Sequence, residues 1–135
     1  MSLATHVRDM VDTDVSFVYS SWLKSLRPHS KVLKYLFFLG QHRLIESLLA
    51  RPGVSVGVIC LDESPEVILG WICHEFGIVH YLYVKSEFRR LGLANKMLQD
   101  RKLTDDGVAY THHTPAVQFF NKINAVYDPY LLWRK

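Results

Sequence analysis

The sequence predicts an α/β fold, a single domain over residues 1–135 with a mixed, mostly antiparallel sheet flanked by helices. Three observations lead there. Apolar residues recur at helical spacing from Val15 to Leu49. The break "RPG" at Arg51 to Gly53 ends that pattern, and runs rich in β-branched and aromatic residues follow it. After Lys85 the period becomes helical again, and a further strand and helix complete the order.

Taken from the start, "HVRDM" reads as a short first strand. "DTDVSFVYSSWLKSL" reads as a helix capped by Asp12 or Thr13, with Val15, Val18, Trp22 and Leu26 at helical spacing. Pro28 stops it or opens the next one, and Ser30 to Leu49 forms a second helix with Gly40 as a point of interruption. "VSVGVICL" and "EVILGWICHE" are strands joined by the turn "DESP", which makes a hairpin. "GIVHYLYVK" is apolar or aromatic on both faces, the composition of a strand inside the sheet and covered on both sides. Leu93, Met97 and Leu98 give the following helix its apolar face. "VAYTHH" is the next strand, and "TPAVQFFNKINA" a short helix with Thr114 as cap and Pro115 at its first position. "VYDPYLLWRK" is a final strand or a packed extension.

Composition narrows the class. A hydrophobic fraction of 49% against 21% charged residues belongs to a packed protein rather than a disordered one. The longest apolar runs, such as Tyr35 to Leu39, fall far short of the roughly 20 residues a membrane helix needs. "MSLATHVRDM" has charged residues where a signal peptide has its apolar middle, so the expected location is the cytoplasm. Cys60 and Cys73 lie among apolar strand residues and read as buried thiols. The net charge of +3 suits an anionic ligand without specifying one. Lys24, Arg27, Lys31, Lys34 and Arg43 make the early helices basic, either a solvated face or a surface for nucleic acid. No recognition-helix or zinc-finger spacing accompanies them.

The stretch "VKSEFRRLGLANKML" carries the chemistry. A strand, a glycine turn and a helix start make an anion site, because unpaired N–H groups and the helix dipole both point into the turn. Gly92 permits close approach to the backbone, Ala94 keeps the next turn small, and Arg89 and Arg90 add cationic donors. The run is neither a P-loop nor a dinucleotide fingerprint. A solvated turn entering a core helix is the alternative.

"RRLGLA", Arg89 to Ala94, resembles the Gln/Arg-x-x-Gly-x-Gly/Ala signature of the GNAT superfamily of acyl-CoA-dependent N-acyltransferases. The order of elements is similar over nearly the whole chain. The resemblance implies acetyl-CoA as cofactor, with Arg89, Arg90, Leu91, Gly92, Leu93 and Ala94 at its pyrophosphate. It also implies a central strand splayed from its neighbour, so that the backbone of Leu82, Tyr83 and Val84 meets the pantetheine arm. The implied reaction is direct attack of a primary amine on the thioester in a ternary complex, with no metal. The acceptor would be a small amine, a protein or an aminoacylated RNA.

Phe120 and Asn124 depart from that pattern, standing in its tyrosine and glycine positions, and His113 stands where an asparagine often precedes it. In "AVQFFNKINAV" Ala116, Phe119 and Lys122 match the family's motif, but Phe120 stands where a tyrosine often protonates the thiolate, and phenylalanine cannot donate a proton. Tyr127 and His113 are then the acids to consider, with Tyr110 and His112 behind them. His80 and Glu75 are the candidate bases, each with a plainer reading as a satisfied core histidine and a solvated carboxylate. "THHT" does not make a metal site, since adjacent strand residues point to opposite faces. Phe120 also leaves open a non-catalytic acyl-CoA-binding or interaction module on the same fold. An exposed edge at "VYDPYLLW" would admit a second copy, so a monomer or homodimer is expected.

Overall fold

The computed structural model describes residues 4–25, 43–103, 108–111 and 126–128. They divide between two compact units, Val11–Val54 and the remainder formed by Met1–Met10 with Ser55–Lys135.

The larger unit holds one six-stranded sheet in the order β1-β2-β3-β4-β5-β6. Its strands are β1 (Thr5–Asp9), β2 (Ser55–Leu61), β3 (Ile68–Glu75), β4 (Ile78–Val84), β5 (Ala109–Tyr110) and β6 (Val126–Tyr127). β1 to β4 pair antiparallel, and β5 and β6 join in parallel. The mixed, mostly antiparallel sheet is the one the sequence predicts. Parallel pairing of β4 with β5 requires a crossover, and the helix Leu93–Asp100 lies in it. β4 is buried at every position except the half-buried Tyr83, as its two-sided apolar composition requires.

The crossover helix packs on β1 to β4 through Leu93, Ala94, Met97 and Leu98. Those residues join Ile59, Leu69, Ile72, Val79, Leu82 and Val84 in one core. Lys96 also ties the helix to the edge strand, since its Nζ donates to the Thr5 carbonyl at 2.6 Å. Close packing sets the identity of Gly70, where a Cβ would stand 2.4 Å from the Tyr83 carbonyl oxygen.

The smaller unit contains α1 (Val15–Ser25) and the helical residues 43–50, here α2. The crossover helix is therefore α3. The apolar faces expected from the spacing are buried at Val18 and Trp22 on α1 and at Leu44, Ile45 and Leu48 on α2. The start of α1 differs from the expected cap at Asp12 or Thr13. Asp12–Asp14 form a 3-10 turn instead, and the buried Asp14 carboxylate accepts the Val11 N–H at 2.9 Å. The second helix was expected from Ser30, and residues 30–42 lie outside the described residues. The same holds for the helix expected at Thr114 to Ala125. No helix among the described residues is long and apolar enough to cross a membrane.

Candidate functional site

Between β4 and α3 the chain makes a 3-10 turn at Ser86–Phe88 and then two left-handed residues, Arg90 at φ 67° and Gly92 at φ 79°. Arg90 in that region is strained, whereas Gly92 occupies it freely. The strain has a geometric result, a tight turn that delivers the chain into α3. Among the described residues no backbone bond uses the N–H groups of Arg90 to Ala94, and no side chain caps α3. A built Cβ at Gly92 meets nothing within 4 Å. The turn is therefore an open cradle of N–H donors at a helix start, which fits a phosphate-bearing group.

The two arginines part company here. Arg89 turns back, its Nε donating to the Val84 carbonyl at 3.0 Å. Arg90 and Leu91 are exposed beside the cradle.

The edge of β4 leads to this turn. Pairing with β3 steps from Cys73↔Tyr81 to His74↔Val79, so His80 is the extra residue of a β-bulge. Past the bulge, Lys85 N–H donates to the Leu69 carbonyl at 2.9 Å. Alternation along the strand then directs the backbone groups of Tyr81 and Tyr83 to β3 and those of Leu82 and Val84 to the opposite edge. β5 meets β4 at Ile78↔Ala109 and Val79↔Tyr110, and the Thr111 N–H donates to the Val79 carbonyl at 3.1 Å. Beyond that rung no described strand pairs with Leu82 and Val84. Among the described residues an open strand edge thus runs from the bulge to the N–H cradle.

At the bulge β3, β4 and the residue that follows β5 meet on one imidazole. His80 is wholly buried, with Nε2 2.9 Å from Glu75 Oε1 and Nδ1 3.1 Å from Thr111 Oγ1. Glu75 and Thr111 are themselves buried. The sequence named His80 and Glu75 separately, and the hairpin brings them into contact. Thr111 carries no signal that sequence reading could use, because only the parallel β4–β5 pairing sets it against His80.

No protein-family model matches the sequence, and no curated protein does either. Solved structures do. A GCN5-related N-acetyltransferase from Rhodopseudomonas palustris superposes with a TM-score of 0.61 at 12% identity, over 90% of this chain and 81% of that one. A ribosomal-protein-alanine N-acetyltransferase from Brucella melitensis gives 0.60 at 15% identity, over 93% and 94%. A structure of AAC(6')-Iy in complex with the bisubstrate analog CoA-S-monomethyl-acetylneamine gives 0.52 at 15% identity, over 89% and 86%.

The chain has the GNAT fold. At these identities the likeness is one of backbone architecture, and the side chains must be read individually.

On the GNAT fold of this chain, Tyr127 lies on β6, separated from β4 by β5, and its ring is 5.4 Å from that of Tyr110. Tyr127 is 41% exposed while Tyr110 is buried in the core, so of these two phenols only Tyr127 has access to solvent. His113, His112 and Phe120 lie outside the described residues. Of the early basic residues, Lys24 and Arg43 are exposed, and Arg27, Lys31 and Lys34 fall outside the described residues. No group of His, Cys, Asp and Glu able to hold a metal occurs among the described residues.

Away from the open edge, Arg101 binds Asp9 at 2.6 Å, and that hydrogen bond and charge lower the Asp9 carboxyl below the usual carboxylate range. His74 is held neutral: burial first, and the Arg101 charge second, push its pKa down to about 4.

Proposed function

We propose that this chain is an N-acyltransferase that moves an acetyl group from acetyl-CoA to a primary amine by direct attack, residues 1–135 forming one catalytic domain. The observation that carries the reading is the N–H cradle of Arg90 to Ala94, unpaired among the described residues and continuous with the edge of β4 that no described strand covers. The cradle suits the pyrophosphate, with Arg90 as its cationic neighbour. The open N–H and carbonyl groups of Leu82 and the N–H of Val84 suit the amide-bearing arm. Tyr83 contributes its side chain rather than its edge, since its backbone faces β3.

Acetyl-CoA supplies an activated thioester. The chain must then take one proton from the attacking amine and return one to the departing sulfur. The Glu75–His80 pair takes the first. Tyr127 and His113 are the two donors for the second, in place of the phenol that Phe120 lacks. A backbone N–H of β4 beyond the bulge holds the developing oxyanion. The acceptor is an amine on a small molecule, a protein or an aminoacylated RNA, and the protein works as a monomer or homodimer. Its two free cysteines, both buried, suit a cytoplasmic setting.

Calorimetric titration with acetyl-CoA, wild type beside Gly92→Glu, tests the reading. Micromolar binding that the variant loses supports the cradle. Screening of amine acceptors with Tyr127→Phe and His113→Ala then identifies the acid by its loss of kcat. No binding by folded wild-type protein overturns the reading. Phe120 favours a second one, a non-catalytic acyl-CoA module, which predicts the same binding with no turnover of any amine. Salt-dependent nucleic-acid binding without acetyl-CoA binding would instead point to the basic early helices.

A further inference from the structure

We infer that Thr111 is a positioning residue that lets the buried His80 ring gain and lose a proton without changing its place at the β4 bulge. The inference rests on the acyltransferase reading for its purpose and on the hydrogen-bond geometry for its content.

Both ring nitrogens of His80 are occupied, Nε2 by Glu75 and Nδ1 by Thr111. Among the described residues, those two partners are the groups bonded to the ring nitrogens of the wholly buried ring. The Glu75 carboxylate accepts, so the Nε2 proton stays in place in either state. All change falls on Nδ1. On the neutral ring Nδ1 is an acceptor and needs a donor, whereas on the imidazolium it is a donor and needs an acceptor.

A threonine hydroxyl can be both, because its proton rotates. The structure provides somewhere for that proton to go. Thr111 Oγ1 lies 3.1 Å from Nδ1 and also 3.3 Å from the His80 carbonyl oxygen. With the ring neutral, the hydroxyl donates to Nδ1. With the ring charged, Nδ1–H donates to Oγ1, and the hydroxyl turns to the His80 carbonyl. In both states the two ring nitrogens stay bonded, and in the charged state the freed hydroxyl proton has the His80 carbonyl as its acceptor, which is what a buried group of this kind needs.

The same residue fixes the fork. Its N–H makes the last described rung to Val79, immediately before the bulge. Among the described residues, Glu75 on β3 is the titratable group bonded to the ring and it already holds Nε2, while His74 interacts with His80 through charge alone.

Thr111→Val keeps the shape and the backbone rung and removes only the oxygen. Thr111→Ser keeps the oxygen and serves as the rescue. The first readout needs no cofactor: histidine-ring nitrogen NMR of the whole protein across a pH series. In Thr111→Val the imidazolium loses the acceptor at Nδ1, a larger loss than that of the neutral ring, so His80 titrates at lower pH than in wild type. Thr111→Ser restores the wild-type titration. The second readout is turnover with an amine acceptor once one is found. Thr111→Val lowers kcat about tenfold with KM for acetyl-CoA unchanged, and Thr111→Ser recovers it. A His80 titration that is the same in wild type and Thr111→Val overturns the inference, as does a serine variant that behaves like the valine one. If Thr111→Val does not fold, Thr111→Ala removes the same oxygen, and a His80 titration unchanged in it overturns the inference in the same way. Absence of acetyl-CoA binding would strike the acyltransferase reading alone and leave the NMR result standing.

Discussion

The guanidinium of Arg89 returns along the turn to the carbonyl of Val84, two residues before the 3-10 turn begins, and closes the strand end at 3.0 Å. Its neighbour Arg90 makes no such return and stays exposed. Arg89→Ala should cost about 1 kcal/mol of stability, the worth of one hydrogen bond from a charged donor partly exposed to water. Arg90→Ala should shift stability by less than about 0.5 kcal/mol, yet weaken acetyl-CoA binding and flatten its dependence on salt. Thermal denaturation and calorimetry at two salt concentrations separate the two roles.

Gly70 and Gly57 make a second contrast. A Cβ at Gly70 would meet the Tyr83 carbonyl at 2.4 Å, backbone held in a ladder that cannot yield. Gly70→Ala should therefore destabilise by about 3 kcal/mol, the upper end of overpacking costs. The nearest atoms to a Cβ at Gly57 would be those of the Arg101 guanidinium, at 2.7 Å, the far end of a flexible side chain rather than backbone. Gly57→Ala should cost about 1 kcal/mol or less, and urea denaturation of both variants checks the order.

His74 sets a pH dependence. Its pKa falls from 6.5 to about 4 on folding, so between those values the unfolded chain binds a proton that the folded one refuses. Stability is then full above pH 6.5 and declines as pH falls toward 4. His74→Gln should make that decline shallower. Equilibrium urea curves at pH 7 and pH 4.5 would show it, and identical slopes in variant and wild type would refute it.

Met97 lies at the centre of the core under β3 and β4 and is fully buried. Met97→Ala should lose about 3 kcal/mol by transfer and cavity terms together. Leu91→Ala, at a side chain 53% exposed on the cradle, should change stability by less than about 0.5 kcal/mol.

Much of this architecture was legible locally. Gly92 between arginines and a helical period declared the turn, because glycine and the change of period act within a few residues. The two-sided apolar run from Ile78 to Val84 declared a central strand for the same reason. The bulge was not legible. Nothing in "IVHYLYV" marks His80 as the residue that β3 skips, since register is a property of two strands and not of one.

The sequence by itself therefore determined the elements, their order and the anion-ready turn, all set by short-range sterics and by the period of apolar residues. Only the tertiary structure decided that Glu75, His80 and Thr111 share one buried hydrogen-bond chain. It also decided that Leu82 and Val84, not Tyr83, turn their backbone to the open edge. Both outcomes depend on pairing between strands separated along the chain, where one extra residue reverses which groups face outward.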